Sequence, residues 1–576
     1  MTLRKKLSDE LSLKEINETM AFLVDEVGER LSGTGEMRKA TEYLRDRLIG
    51  YGVDAWIDHF PMYMSYPGEA RLKMLLPEAV EFKARPVGHI RNTGAEGISG
   101  ELIYVGSGGY TDYEGIDPTD KIILTDMTWS PGRPEKARIA WELGAKALII
   151  MNWGKSDDDL IQMGAVKTQW GNPTPQSEKE IVDIPVISIS RKDGERLAGY
   201  CSSGEVKIWM TAEATREWIQ ADQTTAFIKG GESNGQFVVV GSHVDAWGKS
   251  AICNASGDAV NVELARLMNK YSDQLKRDVY FVFWDGHEIA ECGGSTWFCD
   301  THWMELDKNC LGYINIDNLA IAGTSIPGVE SQPELKEYLM KLIQEVWGEE
   351  GVFHQAYKGG GDSSFFGVGV PYISFATEYT EEQLKELNYA FYGPYLHTDF
   401  DTVDKVDQDL LFKHALYDVY VLHDFLQADV IPYNLSDLAK EIRGQYDEIK
   451  KRAGDALELI SFLEPVFGDY VKACDAVSAA VKKRSLPEDV LNKVLLRFDR
   501  STAIFRCEAG RYGQDGCCYV QTEEPIPYLE KALRNYNGSA AGTHEKFLWE
   551  TEVMRVANRV YDTLANPLYY WEAVEK

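Results

Sequence analysis

Four unbroken apolar runs constrain this chain more than anything else in it. They are Phe237-Val238-Val239-Val240-Gly241, Val279-Tyr280-Phe281-Val282-Phe283-Trp284, Gly312-Tyr313-Ile314-Asn315-Ile316 and Pro371-Tyr372-Ile373-Ser374-Phe375. Each has the length of a strand, and helix-compatible segments lie between them, one running from Asp258 to about Tyr271. Strands that are apolar on both faces and alternate with helices indicate an α/β sheet covered on both sides. In such sheets ligands collect at the carboxyl ends of the strands, so the polar residues after each run carry the functional interest.

Those residues form four sets. Gly241-Ser242-His243-Val244-Asp245 follows the first run, Asp285-Gly286-His287-Glu288 follows the second, and Asp317 closes the third. Leu396-His397-Thr398-Asp399-Phe400-Asp401-Thr402 lies in a loop beyond the fourth. Singly, each has a bland explanation: a structural hydrogen bond, a packed histidine, a turn aspartate. Four sets in order, in a chain with only ten histidines, bring imidazole and carboxylate donors to one sheet edge. That nitrogen and oxygen mixture suits zinc.

The flanks differ from this middle. At 576 residues the chain exceeds one hydrophobic core and predicts two to four domains. Residues 12–51 read as helical, with Leu13, Ile16, Met20, Leu23 and Val24 at helical spacing. Residues 61–219 carry short β-like runs such as Leu102–Val105, Lys121–Leu124 and Ala147–Ile150, parted by turn clusters, with one helix around Ala137 to Leu143. After Val430-Ile431-Pro432-Tyr433 the pattern is helical to the end, with Phe467, Tyr470, Val471, Cys474, Val477 and Val481 as a core-packing stripe.

Charge narrows the partners. A net charge of -31 excludes the basic footprint that a nucleic acid or an anionic membrane requires. Arg4, Lys5 and Lys6 are not followed by a signal-peptide apolar stretch, and no window approaches about 20 consecutive apolar residues. The nine cysteines are scattered and odd in number, and the adjacent Cys517-Cys518 are not expected to pair with each other. The expectation is a soluble cytoplasmic protein.

The run Val238 to Met268 resembles the first metal-binding segment of M28 peptidases: strand, His-x-Asp, loop, Asp-Asn-Ala-Ser-Gly, helix. Asp285-Gly286-His287-Glu288 with Gly294-Ser295-Thr296 resembles their Glu-Glu segment, and Asn315-Ile316-Asp317 their third. His397-Thr398-x-x-Asp401-Thr402 is similar to their closing His motif, with Gly361-Asp362-Ser363-Ser364-Phe365 as the loop before it. The resemblance implies a discontinuous M28-like α/β domain over 1–60 and 220–428, a mixed sheet flanked by helices. It also implies a protease-associated (PA) β-rich insert over 61–219. Residues 429–576 are similar to the helical dimerisation domain of glutamate carboxypeptidase II and transferrin receptor, which implies a homodimer. By the same resemblance His243 and Asp317 hold one zinc, His397 and the second Glu of the pair hold another, and Asp245 fixes the ring of His243.

Two positions depart from the family pattern. Cys253 stands where the family has the Asp that bridges two ions; it is either a thiolate ligand or a small filler beside one metal or none. Counted forward from the strand, His287 takes the base position and Glu288 the metal position. Counted back from Gly294-Ser295, Glu288 takes the base position and Ile289 the metal position. The implied activity is a zinc-dependent hydrolase of peptide or amide bonds, exopeptidase-like or acting on a small non-peptide substrate, with His287 or Glu288 as base. The alternatives are a non-catalytic binding or scaffolding protein and a single-zinc glutaminyl-cyclase-like enzyme. From the insert, Tyr104, Trp129, Arg133 and Trp170 are candidates to line the cleft.

Overall fold

The computed structural model describes residues 2–356, 361–507, 511–514 and 526–575. Cys517 and Cys518 lie outside the described residues.

The four apolar runs form adjacent strands. Asp278–Trp284, Phe237–His243, Cys310–Asn315 and Tyr372–Glu378 pair in that order and all parallel, the centre of an eight-stranded mixed sheet. Phe237–His243 is buried at every position, as a strand covered on both faces must be. The helix Ser256–Lys270 covers one face, with Ala259, Val260, Leu264 and Met268 in the core. Gly241 is required by its neighbour: a Cβ there would lie 2.2 Å from Nε1 of Trp284. That indole donates to the Tyr313 hydroxyl at 2.8 Å, and Tyr313 donates to Asn315 at 2.7 Å, so a buried polar chain crosses three strands.

On one side the sheet continues through two long antiparallel strands, Asp54–Met64 and Glu217–Ile228. The boundaries expected at 60/61 and 219/220 fall inside this pair, which frames the insert as a two-stranded stalk. On the other side stand Ile326–Ser331 and Val352–Gln355. The insert has its own eight-stranded mixed sheet, whose parallel centre is Ile98–Tyr104, Ile122–Asp126, Ala147–Met151 and Val186–Ile189. It contains two longer helices, Arg133–Glu142 and Arg191–Ser203, where the sequence suggests only the first.

Beyond Tyr433 come the helices Leu435–Arg452, Glu464–Lys483, Glu488–Ser501, Pro527–Gly538 and His544–Glu575. The stripe on Glu464–Lys483 is core: Phe467, Tyr470, Cys474 and Val477 are buried. These helices share one continuous apolar core with the central sheet.

Candidate metal centre

His243, Glu288, Asp317 and His397 meet at the carboxyl edge of the central sheet, around the thiol of Cys253. The Cys253 Sγ lies 3.4 Å from His243 Nε2, 3.6 Å from Glu288 Oε1 and 3.7 Å from His397 Nε2. Asp317 Oδ1 is 3.4 Å from His243 Nε2, and Glu288 Oε2 is 3.1 Å from His397 Nε2. The donors therefore fall into two triads, His243–Cys253–Asp317 and Cys253–Glu288–His397, and the sulfur belongs to both.

The geometry follows the forward count from the strand. Glu288 faces His397, whereas Ile289 packs with Phe60, Met62 and Ala290 in an apolar cluster. His287 stacks on His243, ring centroids 4.0 Å apart and planes within 9°. Its Nδ1 lies 2.9 Å from Asp362 Oδ2, and Ser295 donates to the other carboxylate oxygen at 2.7 Å. His287, Cys292 and Asp362 form a third donor group beside the first two.

Asp245 differs from its expected role. The atom 3.0 Å from His243 Nδ1 is the Asp245 backbone oxygen, while the carboxylate stands 3.7 Å off. Both carboxylate oxygens instead accept backbone N–H groups, from His287 at 3.0 Å and Glu288 at 2.9 Å. Asp245 thus pins the loop that presents both residues.

Other groups had no clear signal in the sequence. The Trp247 indole donates to Glu288 Oε2 at 3.0 Å. Asp401 accepts the amides of Ile252 at 2.9 Å and Cys253 at 3.1 Å, holding the cysteine against the centre. The guanidinium of Arg30 is buried and donates to the carbonyls of Val244 at 2.6 Å and Lys249 at 3.3 Å, bracing the loop between His243 and Cys253. Trp247 and Asp401 stood inside recognisable motifs, Arg30 in none. His397, Asp362, Ser250, Glu291 and Cys292 all have left-handed backbone conformations without being glycine, a concentration of local strain at one edge of the sheet.

Of the four insert residues, Trp170 packs against Cys292, and Trp129 meets Tyr392 edge-on at 5.2 Å. Arg133 is buried and donates to Gln162 at 2.6 Å. Tyr104 turns inward, its hydroxyl bonded to Asp126 within the insert. The insert touches the centre directly: the Met163 amide donates to the His397 carbonyl at 2.8 Å.

Burial dominates the electrostatics. It pushes the Glu288 carboxyl up, but His397, His243 and His287 outweigh it and hold the group down at about 2. For Cys253, burial and then the carboxylates of Glu288 and Asp317 push the thiol well up. Burial and His243 push His287 down, yet Asp362 and Glu288 bring it up to about 9. Carboxylates, imidazoles and a thiol thus share one small buried volume.

The donor set fits zinc. Imidazole, carboxylate and sulfur are its usual ligands. Nε2 of both histidines faces sulfur and carboxylate oxygen, and Asp317 Oδ1 is buried with His243 Nε2 3.4 Å away and no hydrogen-bond donor among the described residues.

Residues 224–421 match peptidase family M28, and residues 98–197 match the PA domain. The match to peptidase family M28 spans the central α/β part of the chain that carries the donor cluster. Carboxypeptidase Q of Bos taurus is 24% identical over 341 residues, 57% of this chain and 70% of that protein. A peptidase M28 precursor from Shewanella amazonensis superposes with a TM-score of 0.60 at 21% identity, covering 74% of this chain and 96% of the other. A zinc aminopeptidase from Bacillus subtilis superposes with a TM-score of 0.54 at 20% identity, covering 72% and 96%. At these identities the two structures speak for the M28 fold.

Proposed function

We propose that this M28 protein is a zinc-dependent hydrolase of peptide or amide bonds, exopeptidase-like or acting on a small non-peptide amide. The observation that carries the reading is the pair of donor triads sharing Cys253. His243 and Asp317 would hold one ion, and Glu288 and His397 another, with Cys253 common to both. Zinc there would supply Lewis-acid polarisation of the scissile carbonyl and acidify the attacking water.

The chain's own groups do the rest. Asp362 engages Nδ1 of His287, which leaves Nε2 to accept the proton of the attacking water and return it to the leaving amine. Asp245 fixes the backbone of His287 and Glu288, so base and ligand keep one spacing. Trp247 holds the Glu288 carboxylate in place. Trp170, packed on Cys292 beside the His287–Asp362 pair, would restrict the substrate's shape.

The test is metal content with hydrolysis of terminal-residue peptides, for the parent protein and for Cys253→Ala and His397→Ala. Zinc present and activity lost in both variants supports the reading, whereas a metal-free protein sinks it. The second reading, a binding or scaffolding protein, is favoured by one observation: Cys253 and His287 replace two family carboxylates. A single-zinc cyclase would instead form pyroglutamate from peptides with N-terminal Gln, without hydrolysis.

We also propose a homodimer through the C-terminal helices. Phe547, Met554, Tyr561 and Tyr569 are exposed along the helix His544–Glu575 at spacings near seven, one apolar stripe. Cys201, Cys253, Cys310 and Cys474 are free thiols, which supports a reducing compartment such as the cytoplasm. Among the described residues, no helix is long and apolar enough to cross a membrane.

A further inference from the structure

Away from the metal centre, a cavity of about 390 Å³ opens where the C-terminal helices meet the peptidase sheet. It lies between the helix Trp303–Asn309, the helix Glu488–Ser501 and the long helix His544–Glu575. Its charge is opposite to that of the chain. Among the described residues, Lys308, Lys493, Arg497, Arg500 and Arg511 line it with two carboxylates, Asp307 and Asp562. In a protein of net charge -31, five cations around one cavity need an explanation.

Arg500 supplies one. It is 5% exposed, and its Nη2 donates to the carbonyls of Leu306 at 2.7 Å and Cys310 at 2.6 Å. Its Nε and Nη1 are buried and have no hydrogen-bond acceptor among the described residues, the Asp307 carboxylate standing 4.0 Å from Nε. A buried guanidinium with two idle N–H groups is costly unless an acceptor joins it. Arg511 is similarly placed: Nε and Nη2 donate to Gly367 at 3.0 Å and Val368 at 3.3 Å, and Asp307 is 3.8 Å away. Guanidinium forks with ammonium point charges beside them are the usual recognition set for phosphate oxygens. The volume lies at the small end of the range for small-molecule sites.

We propose that this cavity binds a small phosphate-bearing anion, of pyrophosphate or phosphate-ester size. Arg500 forms the inner wall, and Lys308 and Arg497 close on the ligand from the rim. The bound anion would tie the C-terminal helices to the carbonyls of Leu306 and Cys310, where the strand leading to Asp317 begins.

Isothermal titration calorimetry with inorganic pyrophosphate at fixed ionic strength tests this, on the full chain. The parent protein, Lys308→Gln/Arg497→Gln and His397→Ala are compared, with citrate as a second titrant. The double variant alters exposed side chains and leaves the core intact. The expected result is one saturable site, weakened about tenfold or more in the double variant and unchanged in His397→Ala. Citrate binding as tightly as pyrophosphate would contradict the phosphate assignment. Loss in His397→Ala with retention in the double variant would place the anion at the metal centre and overturn the proposal. So would the absence of saturable binding at millimolar pyrophosphate.

Discussion

At the scale of single residues, the centre turns on two replacements, and each predicts a measurable difference. If His287 is the proton acceptor, His287→Ala lowers kcat by about 10²- to 10⁴-fold while zinc content stays near that of the parent. Steady-state kinetics beside elemental analysis separates that outcome from a collapsed site, in which both would fall. Asp362 refines the same point. Its carboxylate raises the imidazole of His287, whose basic form exists only above its own pKa. Removing the charge lowers that pKa, so in Asp362→Asn the acid limb of the kcat profile moves to lower pH. A profile that keeps its acid limb would remove His287 from the proton path. Zinc binding carries its own sign. Burial pushes the Cys253 thiol up, and the thiol must lose its proton to bind metal, so zinc affinity should rise with pH between 6 and 8 and protons should be released. Calorimetry in two buffers of different ionisation enthalpy reads that release.

At the scale of elements, much was legible because buried parallel strands write themselves as continuous apolar runs. All four runs are strands, and the polar residues after them reach one edge of the sheet. The strands Asp54–Met64 and Glu217–Ile228 were not legible, since at least half of each is exposed or partly exposed and they carry Asp58, Asp222 and Gln223 among their apolar residues. The roles of Arg30 and Asp245 were also hidden: what each does depends on backbone atoms remote in sequence, which a motif does not display. Packing around Glu288 agrees with the forward count, with Ile289 turned into an apolar cluster. One junction between elements makes a further prediction. Arg506, from the turn Thr502–Arg506, lies 3.5 Å from Asp499 and 3.8 Å from Glu334, both buried carboxylates. Arg506→Met would leave these two without their cation and cost about 3–5 kcal/mol in chemical denaturation. Burial and then Asp499 hold the Glu334 carboxyl well above its usual value of 4.5. The folded state therefore keeps this proton after the unfolded chain has lost it, and stability from this group declines as pH rises past that value. Glu334→Gln should flatten that decline.

At the scale of the whole molecule, the insert has an apolar core of its own, whereas the C-terminal helices share that of the central sheet. The insert reaches the centre through the Met163 amide on His397 and Trp170 on Cys292, and the C-terminal helices continue the core of the sheet. If the apolar stripe on the helix His544–Glu575 is a two-fold interface, the protein sediments as a dimer at micromolar concentration. Met554→Glu with Tyr561→Glu should then yield a folded monomer; a parent protein that is already monomeric would contradict the interface. The account as a whole rests on the metal centre, and the most direct measurement is the zinc content of protein purified without a metal-affinity tag. About one or two equivalents by elemental mass spectrometry, reduced in both Cys253→Ala and His397→Ala, is the result predicted. Protein that holds no zinc even after zinc is supplied would contradict the account.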